Sequence, residues 1–203
     1  MPEGKRHNRL RGAGEYSFEE KRSRFIGYCE PAASEEAARA FIESVRSAHK
    51  TASHHVYAYQ TPQGNNPAYT RHSDDGEPQG TAGLPVLNVF LKNEIIRFVC
   101  VAVRYFGGTL LGKGGLTRAY SKAAKGALES AGFEPIIEIK NYEVVCRYGQ
   151  LAQLKYFLEK NGLLDGADME YGENCRAVIA VPETKEEIFL QGVGLCSQST
   201  VNI

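Results

Sequence analysis

No stretch of this sequence has the roughly 18 consecutive apolar residues of a membrane-spanning helix. The start, MPEGKRHNRLRGAG, is basic, and no apolar run of the kind a signal peptide needs stands behind it. The expectation is a soluble, cytoplasmic protein with no membrane partner. There is no C-x-x-C pair and no histidine at zinc-site spacing. The cysteines Cys29, Cys100, Cys146, Cys175 and Cys196 are odd in number and far apart, and each is read as a buried reduced thiol. A G-x-S-x-G elbow is missing, no nucleophile stands beside a base, and neither internal repeats nor low-complexity segments occur.

A net charge of one sign is absent too, because 24 Lys and Arg cancel 24 Asp and Glu. That zero conceals an asymmetry. Residues 1–140 hold 19 basic against 15 acidic side chains, and residues 141–203 hold 5 against 9, so the two parts carry +4 and −4. Between Arg97 and Lys125 there are six basic residues, Arg97, Arg104, Lys113, Arg118, Lys122 and Lys125, and no acidic one. Such a run is either a solvated face or a surface for a polyanion. With 203 residues, 42% of them apolar, the chain is long enough for two domains.

The pattern predicts alternating strands and helices. After a basic start expected to be mobile, SRFIGYCEPA reads as a strand. Ser34 then caps EEAARAFIESVRSAHK, where Ala37, Ala40, Phe41, Ser44 and Val45 recur at helical spacing. HHVYAYQT is a strand, and PQGNNPAYTRHSDDGEPQG reads as a long loop of turn formers, either functional or disordered. Thr81 is the expected N-cap of AGLPVLNVFLKN, with Pro85 in its first turn. The apolar, β-branched run IIRFVCVAV predicts a central strand covered on both faces. LTRAYSKAAKGALESAG predicts a helix whose stripe is Leu116, Tyr120, Ala123, Ala124, Ala127 and Leu128, with Gly132 ending it. The last 65 or so residues read β-α-β-β-α-β, the split arrangement of ferredoxin-like domains.

The chemistry concentrates in two segments. GGTLLGKGG places Gly107, Gly112 and Lys113 on the first, sixth and seventh positions of the phosphate-binding pattern G-x-x-x-x-G-K-[ST], but Gly114 stands where the metal-binding hydroxyl belongs. Strand, glycine turn and helix is nevertheless the context of an anion site, since glycines let an anion approach the free N–H groups of a helix start. Arg118, Lys122 and Lys125, at i, i+4 and i+7, share one helix face, and with Arg104 and Lys113 they would form a basic track suited to nucleic-acid phosphates. Gly108, Gly114 and Gly115 complete the candidate anion-binding set. Tyr105 and Phe106 flank the loop and would stack on bases if exposed; core packing is the alternative.

The second segment is RHSDDGEP. Asp74, Asp75 and Glu77 are hard oxygen donors that would hold Mg²⁺ beside a phosphate, with His72 as a base, although Asp–Gly and Glu–Pro are equally ordinary turn chemistry. His54 and His55, adjacent on a strand, point to opposite faces, so at most one of them joins a site. A functional site requires the 71–83 segment and the 104–115 loop to line one cleft.

SDDGEPQGTAG (Ser73–Gly83), VRYFGGTLLGKGGLTRAYSKA (Val103–Ala123) and KRSRF (Lys21–Phe25) together closely resemble the signature of the IMPACT/YigZ family, in its bacterial two-domain form. The resemblance implies an α+β protein. Residues 1–135 would form an IMPACT-type N-terminal domain similar to ribosomal protein S5 domain 2. Residues 136–203 would form a ferredoxin-like domain similar to the C-terminal domain of elongation factor G. Both relatives work on RNA or the ribosome. The eukaryotic members resemble regulators of translation under amino-acid starvation; that role depends on an added N-terminal domain, so control of a eukaryotic kinase is not carried over. The expected function is a non-catalytic RNA- or ribosome-associated module, with no cofactor and with a protein partner as a further candidate. The alternative is a phosphate-substrate or nucleotide-binding enzyme, because small-molecule kinases share the S5-like fold; their loops carry serines, whereas this one has only Thr109.

Overall fold

A computed structural model describes residues 7–64, 66–195, 197 and 199–203. Residues 1–6 of the basic start, and Cys196, lie outside the described residues. The chain divides into two compact units, residues 1–136 and 137–203.

The first unit is built on the five strands β2 (Gly14–Glu20), β3 (Ser23–Pro31), β4 (His54–Gln63), β5 (Asn66–Ser73) and β6 (Phe98–Tyr105). They run in the order β2-β3-β6-β4-β5 with every neighbour antiparallel. A short ribbon pairs β1 (Asn8–Leu10) with β7 (Phe133–Pro135). Three helices complete the unit: α1 (Glu35–Ala48), α2 (Gly83–Lys92) and α3 (Lys113–Ala131). Strand alternation assigns the faces of the sheet. On β6, Phe98, Cys100 and Ala102 join the core formed with α2 and α3, whereas Val99, Val101 and Val103 join the core beneath α1. The unbroken apolar run is thus central and covered on both sides. The α3 stripe, Leu116 through Leu128, is buried as its spacing requires.

Three local expectations are corrected. The segment read as a long loop contains β5, an edge strand whose described side chains are mostly exposed; it pairs through its backbone and so carries no apolar alternation. On α1 Val45 is buried as expected, but the other buried residues are Ala38 and Ile42, one step from the rest of the expected stripe, since the larger Ile42 removes more apolar area from water than Ala40 or Ser44. Ser34 does cap that helix, accepting from the Ala37 N–H at 3.2 Å. Thr81 does not cap α2: its hydroxyl donates to the Pro78 carbonyl at 2.6 Å, and Ala82 is the N-cap residue.

The second unit has the strands β8 (Ile139–Cys146), β9 (Ala167–Tyr171), β10 (Cys175–Pro182) and β11 (Ser199–Asn202) and the helices α4 (Tyr148–Lys160) and α5 (Glu186–Val193). The antiparallel order is β11-β8-β10-β9. Tyr142, Val144, Ala177, Ile179 and Val181 pack with Leu154, Leu158 and Phe189 in its core. Cys29, Cys100, Cys146 and Cys175 are all buried, and burial pushes the Cys29 thiol up to about 12.

Helix α3 lies close against β2 and β3 because two glycines permit it. A Cβ on Gly27 would run into the Ala123 carbonyl, and one on Gly14 into the Ala127 carbonyl. Replacing Gly27→Ala is therefore expected to cost about 1–3 kcal/mol of stability through overpacking, read from urea unfolding midpoints at unchanged slope.

Candidate functional site

His54 on β4 and Arg104 on β6 are direct cross-strand partners, so their side chains share a face. Arg104 continues the row Phe98, Cys100, Ala102, and the same alternation that buries those residues carries its guanidinium inward, leaving it 4% exposed. There Nη1 donates to Glu77 Oε1 at 2.6 Å and Nη2 to Ser23 Oγ at 3.3 Å. The Tyr120 hydroxyl, from the middle of α3, donates to the same Glu77 oxygen at 2.7 Å. Burial, reinforced by that carboxylate, pushes the Tyr120 phenol far up. His54 Nδ1 lies 2.8 Å from the Asp75 carbonyl oxygen, which places its proton on Nδ1 and leaves Nε2 3.8 Å from Glu77 Oε1. His55 turns the other way, to the His49 carbonyl at 3.1 Å, and His72 is exposed on β5.

The three carboxylates offered as metal ligands are not brought together. Asp74 Oδ1 accepts from the N–H groups of Ala82 and Gly83 at 3.0 and 2.8 Å, and its Oδ2 accepts from Gly80 at 2.8 Å. It therefore supplies the cap of α2 from a distance. Burial on its own would raise the Asp74 carboxyl; the three N–H donors outweigh it and hold the group below the usual range. Asp75 accepts from the His55 N–H at 2.6 Å and from Arg46 at 3.4 Å. Glu77 is taken by Arg104 and Tyr120. Among the described residues no group of three or more His, Cys, Asp or Glu is arranged to hold a metal ion.

The glycines of the loop have structural work. A Cβ on Gly107 would collide with the Arg22 carbonyl in the β2–β3 turn, and Gly108 and Gly112 have φ of 81° and 72°, in the left-handed region. In that turn Lys21 and Arg22 also have positive φ, 45° and 65°, where hairpins ordinarily use Asn and Gly. Gly114 faces open space apart from Arg118, whose Nη1 lies 3.6 Å from where a Cβ would stand. Helix α3 thus begins with Gly112 as N-cap, with no side-chain cap, no acidic residue in its first turn, and a guanidinium folded over that turn.

The two motif segments do line one cleft, of about 470 Å³. Glu77, Arg104, Ser53 and His54 supply its polar lining, Pro78, Phe106, Leu110, Leu111 and Leu116 its apolar walls, and Gly112 and Lys113 complete it. A second depression, about 250 Å³, lies across Leu111 and is bordered by Phe18, Glu20, Lys21, Gly115, Arg118, Ala119 and Lys122. The expected single basic track is consequently divided. Lys113 and Arg118 are five residues apart, roughly 140° around a helix of 3.6 residues per turn, so Lys113 faces the cleft and Arg118 the groove. Lys122 joins Arg118, with its Nζ 4.2 Å over the Phe18 ring. Lys125 is drawn to Glu129 at 3.6 Å, and Arg104 is withdrawn by Glu77. Of the two flanking aromatics, Tyr105 is held by His49 at 2.9 Å, and Phe106 is 47% exposed.

Residues 21–128 match the Impact N-terminal domain family. The chain belongs to the IMPACT family. It is 35% identical over 174 residues to an IMPACT family member of Haemophilus influenzae, covering 85% of this chain and 84% of that one. The IMPACT family member YigZ of Escherichia coli is 36% identical over 167 residues, 81% and 80% of the two chains. A crystal structure described as that of a hypothetical protein superposes with a TM-score of 0.61 at 30% identity, over 98% of this chain and 96% of the other. In this IMPACT family chain both long motifs meet at one place, the cleft and the ion pair beneath it. Sequence reasoning left out Ser23, Tyr120, Lys21 and Leu110 as site residues. Strand alternation alone carried a usable signal, since it puts Arg104 on the Phe98–Ala102 face.

Removing one partner of a buried ion pair leaves an uncompensated charge, so Glu77→Ala is expected to lose about 3–5 kcal/mol of stability. A Glu77→Leu/Arg104→Met double variant should recover most of it in denaturant titrations. Asp74 makes a separate, pH-dependent contribution. Its folded pKa lies below the unfolded value near 3.9, so its stabilisation is full above that pH and is lost as pH falls through the folded value. Asp74→Asn should be less stable than the parent at pH 7 and converge with it under acid, as followed by circular dichroism.

Proposed function

We propose that this protein is an RNA- or ribosome-associated module of the cytoplasm that holds phosphate groups at the front of α3 and acts in translation or its regulation. The observation that carries this reading is the uncapped start of a 19-residue helix surrounded by Lys21, Lys113, Arg118 and Lys122. Among the described residues none of these four cations is paired with a carboxylate; Glu20 is the one acid bordering the groove. A guanidinium at a helix N-terminus opposes the helix dipole, and an anion in front of both relieves the conflict. A row of such cations neutralises phosphates without reading sequence. Membership of the IMPACT family supports the link to translation through the resemblance of its eukaryotic members to translation regulators. We further infer that the first unit is S5 domain 2-like and the second ferredoxin-like, a reading supported by the β-α-β-β-α-β element order and the strand order β11-β8-β10-β9. The enzymatic alternative is less well supported, because the acidic residues it needs as metal ligands are engaged elsewhere.

A short single-stranded RNA titrated across a salt series tests the reading. The parent should bind with strong salt dependence. Lys113→Ala/Arg118→Ala/Lys122→Ala should weaken binding to every sequence alike and flatten the slope of log K against log salt by about 2, at about 0.7 for each phosphate no longer neutralised. An unchanged slope and affinity would overturn the proposal.

A further inference from the structure

Phosphate binding does not explain the cleft beside the helix front. Glu77 cancels Arg104 at 2.6 Å, so the buried part of the polar lining is a neutralised pair, and the charge left unpaired at the cleft among the described residues is that of Lys113 at the start of α3. The walls suit a neutral, flat, partly apolar group instead. Arg104 lies 5.2 Å over the Phe106 ring, yet Phe106 is still 47% exposed, and Leu110 is 81% exposed. Both border the cavity rather than standing singly on the surface. Polar complementarity is present as well. Ser53 is exposed at the cleft and its Oγ accepts from the Phe106 N–H at 3.1 Å, which leaves its hydroxyl proton as a donor. In the neutral imidazole, the bond from His54 Nδ1–H to the Asp75 carbonyl leaves Nε2 as an acceptor. An aromatic face with a donor and an acceptor beside it matches the face and edge of a nucleobase. Gly112 and Lys113 belong both to the cleft and to the start of α3, so a base in the cleft would keep its phosphate at the helix front.

We propose that the cleft takes up one unstacked base of a single-stranded RNA, so that the protein grips base and backbone at adjoining sites. This inference rests on the RNA reading above and adds a pocket that the basic residues alone do not require.

Two RNA strands of equal length and phosphate number test it, one intact and one with every base replaced by an abasic sugar. The intact strand should bind the full-length protein about tenfold more tightly, the scale of one base–aromatic stack. Leu110→Ser and Phe106→Ala, both at exposed positions, should bring that ratio close to one and leave the salt slope of the abasic strand unchanged. Equal affinity for the two strands, or a ratio untouched by both variants, would overturn the base pocket and point to an apolar peptide side chain as the occupant. Failure of both strands to bind would overturn the RNA reading itself.

Discussion

The ion pair between Glu77 and Arg104 is the constraint on which the site depends. Its carboxylate oxygen takes a guanidinium N–H and the Tyr120 hydroxyl, and the guanidinium reaches on to Ser23. One buried interaction therefore ties together the centre of the sheet, the loop before α2, the middle of α3 and the start of β3. Desolvating two charges is expensive, and it is tolerated only where hydrogen bonds saturate them. Here Nη1 and Nη2 of Arg104 are both engaged, and Nε alone of the three nitrogens lacks a partner among the described residues. The consequence is a cleft whose polar lining is held in place and whose central charges cancel.

That neutrality separates two kinds of chemistry across Leu111. On one side lie apolar walls, His54 and the neutralised pair; on the other, Arg118, Lys122 and Lys21 stand beside the first turn of α3. A basic sequence run does not translate into a basic surface of the same length. Helical rotation sends Lys113 away from Arg118, Glu129 draws Lys125 aside, and strand alternation takes Arg104 indoors. What remains for an anion is a smaller cluster, strengthened by a helix start that no described residue caps with a side chain.

The glycine loop looks like a nucleotide-binding loop and is built for a different reason. Gly107 is needed because the β2–β3 turn packs on it, and Gly108 and Gly112 because the chain turns through positive φ. The matching turn, Lys21–Arg22, accepts left-handed backbone at two long basic residues, a cost of the order of 1–2 kcal/mol per residue that local packing must offset. It also delivers Lys21 to the groove.

Much of the fold follows from short-range pattern. The period of two along β6, the stripe of α3, the Ser34 cap and the alternation of strands and helices in residues 137–203 are properties of neighbours along the chain, and local sterics and burial suffice to dictate them. The motif residues were legible in the same way, as long strings in a recognisable order. The role of each motif residue was not. Glu77 meets Arg104 across 27 positions and Tyr120 across 43, Asp74 caps a helix it precedes by nine, and β5 is a strand only because β4 offers it hydrogen bonds. Periodicity tells which face a side chain occupies, but what that face meets depends on which elements become neighbours, and this is decided only when the sheet and its helices pack.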